Sequence, residues 1–108
     1  MAARKTETND LRKLLPKQTK FSLGRVMITP GAATEICGAE ITRALWRHQC
    51  GDWGQLEPKE RACNEIVLNA GGWLLSAYDD PESGSRFLII TQPDRMVTTV
   101  LIPKEFSE

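Results

Sequence analysis

A small set of polar residues in the second half of the chain could support phosphoryl chemistry. His48 is the only histidine, Arg95 follows a proline-containing turn, and Tyr78 and Thr98 fall in β-like runs. Histidine can act as a general base near neutral pH, and arginine can stabilise a pentavalent phosphorane. If the fold brings these four residues together, they resemble the equipment of a metal-independent ribonuclease.

A structural interpretation of the same residues stays open. A histidine at a helix C-terminus is commonly satisfied by the helix dipole, and Arg95 can pair with Asp94 or a turn carbonyl. The sequence contains no phosphate loop, GxSxG elbow or HExxH motif that would favour another enzyme class. The further candidate binding residues are Trp53, Asp52, Gln49, Asp94 and Thr91.

The three cysteines, Cys37, Cys50 and Cys63, argue against a closed disulfide framework because their number is odd. Free thiols suit a reducing compartment. Together with His48 they supply four ligand types for zinc, but no close CxxC pair is present. We therefore expect small buried side chains, and neither a metal nor a cofactor.

Charge is unevenly distributed along the 108 residues, although the net charge is zero. Up to Arg25 the net charge is +5, and the remainder carries −5. We expect residues 1–20 to form a mobile basic arm and residues 21–108 a single domain. The arm is either a solvated tail or a non-specific contact to nucleic acid phosphates. Its basic residues are Arg4, Lys5, Arg12, Lys13, Lys17 and Lys20.

No signal-peptide pattern or membrane-length apolar run is visible, which predicts a cytoplasmic protein without a membrane partner.

The residues from Gly71 to Pro103 hold three β-rich runs: Trp73–Tyr78, Arg86–Thr91 and Met96–Ile102. Short links rich in turn formers join the runs, so they predict an antiparallel meander. The unbroken apolar stretch Phe87–Ile90 is typical of a strand covered on both faces.

Upstream, FSLGRVMI at residues 21–28 predicts a short strand that could pair with the meander as a fourth member. One or two helical turns are expected at residues 32–37, then a helix from Ala39 to Gln49. The spacing of Ile41, Leu45 and His48 predicts that this helix buries them together.

A second helix is predicted from Pro58 to Asn69, with Ala62, Ile66 and Leu68 pointing inward. Trp73 is expected in the core. The predicted fold is therefore α+β, with two helices packed on a three- to four-stranded antiparallel meander in the order β-α-α-β-β-β.

Four motifs in the same order carry a resemblance to a known family. They are residues 48–54 (HQCGDWG), 75–78 (LSAY), 89–91 (IIT) and 94–103 (DRMVTTVLIP). Over about Phe21 to Phe106 the chain resembles short proteins of plasmids, phages and integrated elements, usually catalogued as "plasmid-related protein" or as a type I restriction subunit M. The resemblance implies a mobile-element setting and supplies no reaction. A methyltransferase is not indicated, since the chain lacks a cofactor-binding glycine loop.

Two classes of function remain from the sequence. The first is a non-catalytic interaction module in host and element conflict, such as a defence inhibitor, which binds a protein or nucleoprotein complex through its acidic body or an exposed aromatic such as Trp53. The second is a ribonuclease or RNA-binding domain, because the predicted order of elements is similar to that of barnase-like and RelE-like folds. The similarity to these folds is one of architecture alone.

Overall fold

The computed structural model describes residues 18–106, so most of the predicted basic arm lies outside the described residues. The described elements are four strands, β1 (Arg25–Ile28), β2 (Leu74–Asp79), β3 (Arg86–Thr91) and β4 (Val97–Leu101), three α-helices, α1 (Pro30–Glu35), α2 (Gly38–Gln49) and α3 (Pro58–Ala70), and a final 3-10 turn, Pro103–Glu105. None of these helices has the length and apolar character needed to span a bilayer.

The strands form one sheet in the order β1-β4-β3-β2. The pairs β2–β3 and β3–β4 are antiparallel, which confirms the predicted meander. β1 is a fourth strand beside β4, but it runs parallel to β4, with Val26 opposite Thr98. The sheet is therefore mixed, and the prediction of a wholly antiparallel sheet is wrong.

The parallel pair follows from the path of the chain. The helices carry the chain from the end of β1 to the far edge of the sheet, where β2 starts in the same direction as β1. Two hairpin reversals then give β4 the direction of β2. A helical crossover between strands of one direction is the usual way to make a parallel pair.

Alternation of side chains along the strands gives the sheet two unlike faces. The helix face presents Ser76, Ile89, Thr91 and Val100, all buried under α1 and α2. Ile41 and Ala44 of α2 pack here with Ala32 and Ile36. The predicted burial is confirmed for Ile41, while Leu45 is only partly buried against this core. The open face presents the half-buried Leu75, Leu88, Ile90 and Thr99.

Helix α3 begins at Pro58 as predicted, but its inward side differs from the prediction. Ile66 is 68% exposed and Ala62 is also exposed, whereas Asn64 is buried. The Asn64 amide donates to the Leu75 carbonyl (2.7 Å) and accepts from the Leu75 N–H (3.3 Å). The helix therefore lies along the outer edge of β2, where it satisfies backbone groups as well as burying apolar area.

The 3-10 turn fastens the chain's end to the start of α1. Glu105 accepts hydrogen bonds from the Thr29 hydroxyl (2.6 Å) and the Gly31 N–H (3.0 Å). The same carboxylate accepts from the N–H of Ile102 at 3.0 Å. These hydrogen bonds, above all the one from the Ile102 N–H, lower the pKa of Glu105. They also hold its carboxylate beside the C-terminal end of β1.

Candidate functional site

His48 lies in the last turn of α2 and is fully buried against the helix face of the sheet. Its Nδ1 is 2.5 Å from the Ser76 hydroxyl on β2, and its Nε2 is 2.8 Å from the Thr91 hydroxyl on β3. The helical period that buries Ile41 and Ala44 carries His48 to the same side of α2. Both ring nitrogens are therefore engaged inside the protein.

The hydrogen bonds continue from Thr91 across the sheet. The hydroxyl oxygens of Thr91 and Thr98 are 2.7 Å apart, and Thr98 donates to the backbone carbonyl of Leu23 at 2.7 Å. All four side chains in this series, Ser76, His48, Thr91 and Thr98, have no exposed surface. We call the series the buried polar chain.

The Leu23 carbonyl fixes the direction of every bond in the buried polar chain. A carbonyl only accepts, so Thr98 uses its single proton on Leu23. Thr91 must then donate to Thr98, which leaves Nε2–H of His48 to donate to Thr91. In the neutral ring Nδ1 then carries no proton and accepts from Ser76. Of the two neutral tautomers of His48, only Nε2–H satisfies all four bonds.

Two aromatic rings enclose the imidazole. Phe21 meets it edge-on with ring centroids 5.2 Å apart, and Trp53 does so at 5.7 Å. Trp53 was expected to be an exposed anchor, but it is only 3% exposed, and its indole N–H donates to Glu65 at 2.8 Å. It is buried because residues 53–55 fold over the edge of β2 and carry the indole under Phe21.

Burial lowers the pKa of His48 to about 3, with a further contribution from the positive charge of Arg95. The imidazole is therefore neutral at physiological pH. A general base must also reach the proton that it removes. In this arrangement the ring has no path to a substrate unless Phe21 or Trp53 moves.

Arg95 does come near His48, because both residues contact Phe21: the guanidinium carbon lies 5.8 Å from the Phe21 ring centroid. The guanidinium donates to the carbonyls of Gly72 (2.6 Å), Gln92 (2.9 Å) and Val67 (2.9 Å). These bonds use three of its five N–H groups. They join the end of α3 to the β3–β4 turn, which is the structural alternative that the sequence left open.

Replacing Arg95 with alanine is expected to lower the free energy of unfolding by about 2 kcal/mol, since charge-assisted bonds to three carbonyls are lost. The backbone at Arg95 has a left-handed φ of 61°. Arg95→Gly removes the same guanidinium but relieves that strain, so we expect it to be less destabilising than Arg95→Ala. Urea denaturation measures both values.

Arg43→Ala is the matched control for Arg95, because Arg43 is exposed and makes only a loose 3.8 Å pair with Glu40. Its expected effect is below about 0.5 kcal/mol. Unchanged stability in Arg95→Ala would contradict the role of Arg95 as the connector between α3 and the β3–β4 turn.

Tyr78 is buried on the helix face, and its hydroxyl donates to the Asp52 carbonyl at 2.6 Å. Burial is the main cause that raises its pKa. Arg47 lies over the Tyr78 ring at 4.7 Å and pairs with the Asp52 carboxylate at 2.7 Å. Tyr78 and Asp52 therefore fasten the turn after α2 to the sheet, and Tyr78 also interacts with the Ser76 hydroxyl of the buried polar chain.

The remaining predicted binding residues are Gln49, the last residue of α2, and Asp94, in the β3–β4 turn. Gln49 donates to the Phe21 carbonyl at 2.9 Å, and Asp94 accepts from the Met96 N–H at 2.9 Å. Of the basic arm only Lys20 is described, and its N–H donates to the Gln49 carbonyl at 2.8 Å. The other candidates, Arg4, Lys5, Arg12, Lys13 and Lys17, lie outside the described residues.

Within residues 18–106 the three cysteines are free thiols, and no group of three or more His, Cys, Asp or Glu side chains is arranged to hold a metal ion. Cys50 is buried, while Cys37 and Cys63 are exposed. Their separation follows from their positions: Cys37 precedes α2, Cys50 follows α2, and Cys63 lies within α3.

The residues that sequence reasoning missed are apolar and exposed. Trp73, expected in the core, is 60% exposed. With Leu75, Ile90 and Phe106 it lines a cavity of about 320 Å³ on the open face. A second cavity of about 220 Å³ shares Trp73 and Leu75 and extends to Leu56, Glu60, Cys63 and Asn64. We call these adjoining cavities the open-face groove.

The sequence did contain a signal for the open-face groove. The apolar stretch Phe87–Ile90 predicts a strand covered on both faces, yet only Phe87 and Ile89 are fully buried. Leu88 and Ile90 are only partly buried on the open face. The strand is apolar on both faces, but the described part of the chain covers only one of them fully. An uncovered apolar face of this kind indicates a surface that another molecule can occupy.

Comparisons with known proteins add no relative. No family model matches the chain, and neither the curated proteins nor the solved structures give a significant match. The resemblance to plasmid-borne proteins therefore stays a prediction.

Proposed function

We propose that this protein is a non-catalytic interaction module that binds a protein partner through the open-face groove. The observation that carries the proposal is the composition of the groove. The cavity formed by Trp73, Leu75, Ile90 and Phe106 has no polar lining. Its volume of about 320 Å³ has room for large apolar side chains of a partner, and its apolar lining offers no hydrogen bond to a polar substrate.

The aromatic residues of the groove have the properties of interface anchors. Trp73 and Phe106 are both at least half exposed. Exposed tryptophan at the centre of an apolar patch is the side chain that most often dominates binding energy at protein interfaces. Half-buried Leu75 and Ile90 form the floor between them. The Glu60 carboxylate stands at the rim of the adjoining cavity.

The burial and hydrogen-bond pairing of the polar residues also favour binding over catalysis. His48, Thr91 and Thr98 are fully buried, and their polar atoms are paired with one another or with the backbone. The Arg95 guanidinium is largely occupied by carbonyls. Active sites usually keep unsatisfied or strained polar groups accessible to substrate, and this group of residues is instead typical of a satisfied core.

The mobile-element setting that the sequence resemblance implies extends the proposal. A small module of this kind acts in host and element conflict, as an inhibitor or regulator of a defence complex. Its partner is then a host-encoded or element-encoded protein, alone or within a nucleoprotein complex. The apolar character of the open-face groove favours the protein component of such a complex as the direct contact.

Affinity capture with tagged protein tests the proposal, with Trp73→Ala compared against wild type. Removing the Trp73 side chain is expected to abolish or strongly weaken partner recovery, since truncating an interface hot spot weakens binding by at least about 2 kcal/mol, or roughly 30-fold. Because Trp73 is mostly exposed, the thermal unfolding midpoint should change little.

Trp46→Ala is the matched control, because Trp46 is also a partly exposed tryptophan but lies on α2, which packs on the opposite face of the sheet. The control should recover the partner as wild type does. Equal recovery by Trp73→Ala and wild type would contradict the proposed groove. Metal-independent cleavage of cellular RNA by purified wild type, retained in Trp73→Ala, would favour the nuclease alternative instead.

A further inference from the structure

The two outer strands of the sheet, β2 and β1, differ in whether other described residues cover their outer edges. The outer edge of β2 is closed: the Ala77 N–H donates to the Trp53 carbonyl (3.2 Å), and the Ala77 carbonyl accepts from Gln55 (2.7 Å). The Asn64 amide closes the next position, at Leu75. Exposed strand edges invite pairing with other chains, and covering them prevents it.

β1 forms the opposite edge and lacks such a cover in the described part of the chain. The N–H groups of Arg25 (to Met96, 2.8 Å) and Thr29 (to Val100, 3.0 Å) point towards β4. In a strand these directions alternate, so the N–H and C=O groups of Val26 and Ile28 point outward. The side chains of residues 26–28 are between 38% and 48% exposed, and all are apolar.

We propose that β1 pairs antiparallel with β1 of a second copy of this chain, which joins the two sheets into one of eight strands. A two-fold axis at Met27 places Val26 of each copy opposite Ile28 of the other. The outward groups then form four hydrogen bonds in two closely spaced pairs. Gly24, with φ of 65°, and Pro30, without an N–H, limit the pairing to β1 itself.

Charge at the two ends of β1 favours this direction of pairing. Arg25 stands at the N-terminal end, and its guanidinium makes no ion pair within residues 18–106. The Glu105 carboxylate stands at the C-terminal end, bonded to Thr29. Antiparallel pairing around Met27 brings Arg25 of each copy opposite Thr29 of the other, and so towards Glu105. A parallel pair would instead place the two Arg25 side chains together.

The interface is small, since β1 has four residues, and it falls in the class of weak, reversible contacts. Sedimentation velocity of the full chain from about 1 µM to about 1 mM, on either side of a Kd of order 100 µM, should show a monomer that becomes a dimer as concentration rises. A wild-type protein that stays monomeric at the highest concentration would overturn the proposal.

Val26→Pro is the sharpest variant, because proline removes one outward N–H and leaves the bonds from Arg25 and Thr29 to β4 in place. We expect it to remain monomeric at about 1 mM, which corresponds to at least a tenfold loss of affinity. Ile66→Ala, on the exposed side of α3, is the control and should dimerise normally. A Val26→Pro protein that dimerises as wild type does would overturn the proposal.

Two further variants keep the proposal testable if Val26→Pro unfolds. Arg25→Glu should weaken the dimer because it places like charges together, whereas Arg25→Lys should retain it. Raising the salt concentration should reduce the difference between these two variants, since the charges are near the surface. Equal dimerisation of Arg25→Glu and wild type at low salt would contradict the proposed meeting of Arg25 and Glu105.

Cross-linking tests the register in a chain that carries Cys37→Ser and Cys63→Ser. Two Met27 residues across the axis form a non-hydrogen-bonded pair with Cα atoms about 4.5 Å apart, which is within disulfide range. Met27→Cys should therefore cross-link under mild oxidation. Arg25→Cys should not, because the two positions are about 14 Å apart. Cross-linking at position 25 but not 27 would overturn this register. The open-face groove lies towards the β2 edge. The Trp73→Ala capture experiment on the groove is therefore independent of these tests of dimerisation through β1.

Discussion

Replacing His48 with alanine is expected to lower the free energy of unfolding by about 3 to 5 kcal/mol. Two effects add: a fully buried ring leaves a cavity, and the hydroxyls of Ser76 and Thr91 lose their partner. A domain of this size has only about 5 to 15 kcal/mol of stability, so the variant should be close to unfolding. Urea denaturation, followed by far-UV circular dichroism, measures the change.

Milder variants of the buried polar chain test the direction of its hydrogen bonds. Thr91→Val keeps the shape of the side chain but leaves Nε2–H of His48 without an acceptor, which should cost about 2 kcal/mol. Ser76→Ala leaves only the Nδ1 lone pair unsatisfied and should cost about 1 kcal/mol. Thr42→Val is the control, because Thr42 is exposed on α2, and it should stay within about 0.5 kcal/mol of wild type.

This series separates a structural role from a catalytic one. Under the ribonuclease hypothesis, His48→Ala removes activity and leaves the fold intact. The buried polar chain predicts the opposite, since loss of His48 disrupts contacts between α2 and two strands. An alanine variant as stable as wild type would show that His48 is not held in the core, and the argument against catalysis by His48 would lose its main support.

Local patterns in the sequence were enough to locate most elements. The predicted strand Arg86–Thr91 has the bounds that the structure gives β3. Of the predicted α2 face, Ile41 and His48 are buried, and Leu45 is partly buried against the same core. Turn formers on both sides of β3 and the 3.6-residue period of α2 are short-range signals. They require no knowledge of which distant segment packs where.

The direction of β1 and the orientation of α3 depended on distant contacts. Nothing within residues 21–28 specifies whether β4 is a parallel or an antiparallel neighbour, because that depends on the number of reversals between them. In α3, apolar Ile66 faces outward while polar Asn64 faces inward, because the edge of β2 offers backbone groups to an amide. A count of apolar residues cannot show this.

The candidate site shows the same division between local and distant information. The sequence singled out His48, Thr91 and Thr98, and the structure does bring them together. It could not show that they lie beneath Phe21 and Trp53, because those rings come from segments before and after α2. Burial turns this set of residues with catalytic chemistry into a core network.

Acidification from pH 7 to pH 4.5 is expected to lower the free energy of unfolding by on the order of 2 to 3 kcal/mol. The pKa of His48 is about 3 in the folded protein because of burial and Arg95, and about 6.5 in the unfolded chain. Between these values the unfolded state binds one proton more, so stability falls by about 1.4 kcal/mol for each unit that the pH drops. His48 is the sole histidine, so the slope has one source.

Two measurements test whether His48 is the origin of the pH dependence. Hydrogen bonding lowers the pKa of Asp80 and of Glu105, so these carboxylates lose their stabilising effect only below the unfolded carboxyl pKa of about 4. His48→Gln, which keeps a neutral polar side chain, should therefore show a flat stability profile between about pH 5 and pH 7. NMR of the folded protein should show a histidine ring that does not titrate in this range. A ring that titrates near its ordinary pKa would show that solvent reaches His48 and would reopen its role as a general base.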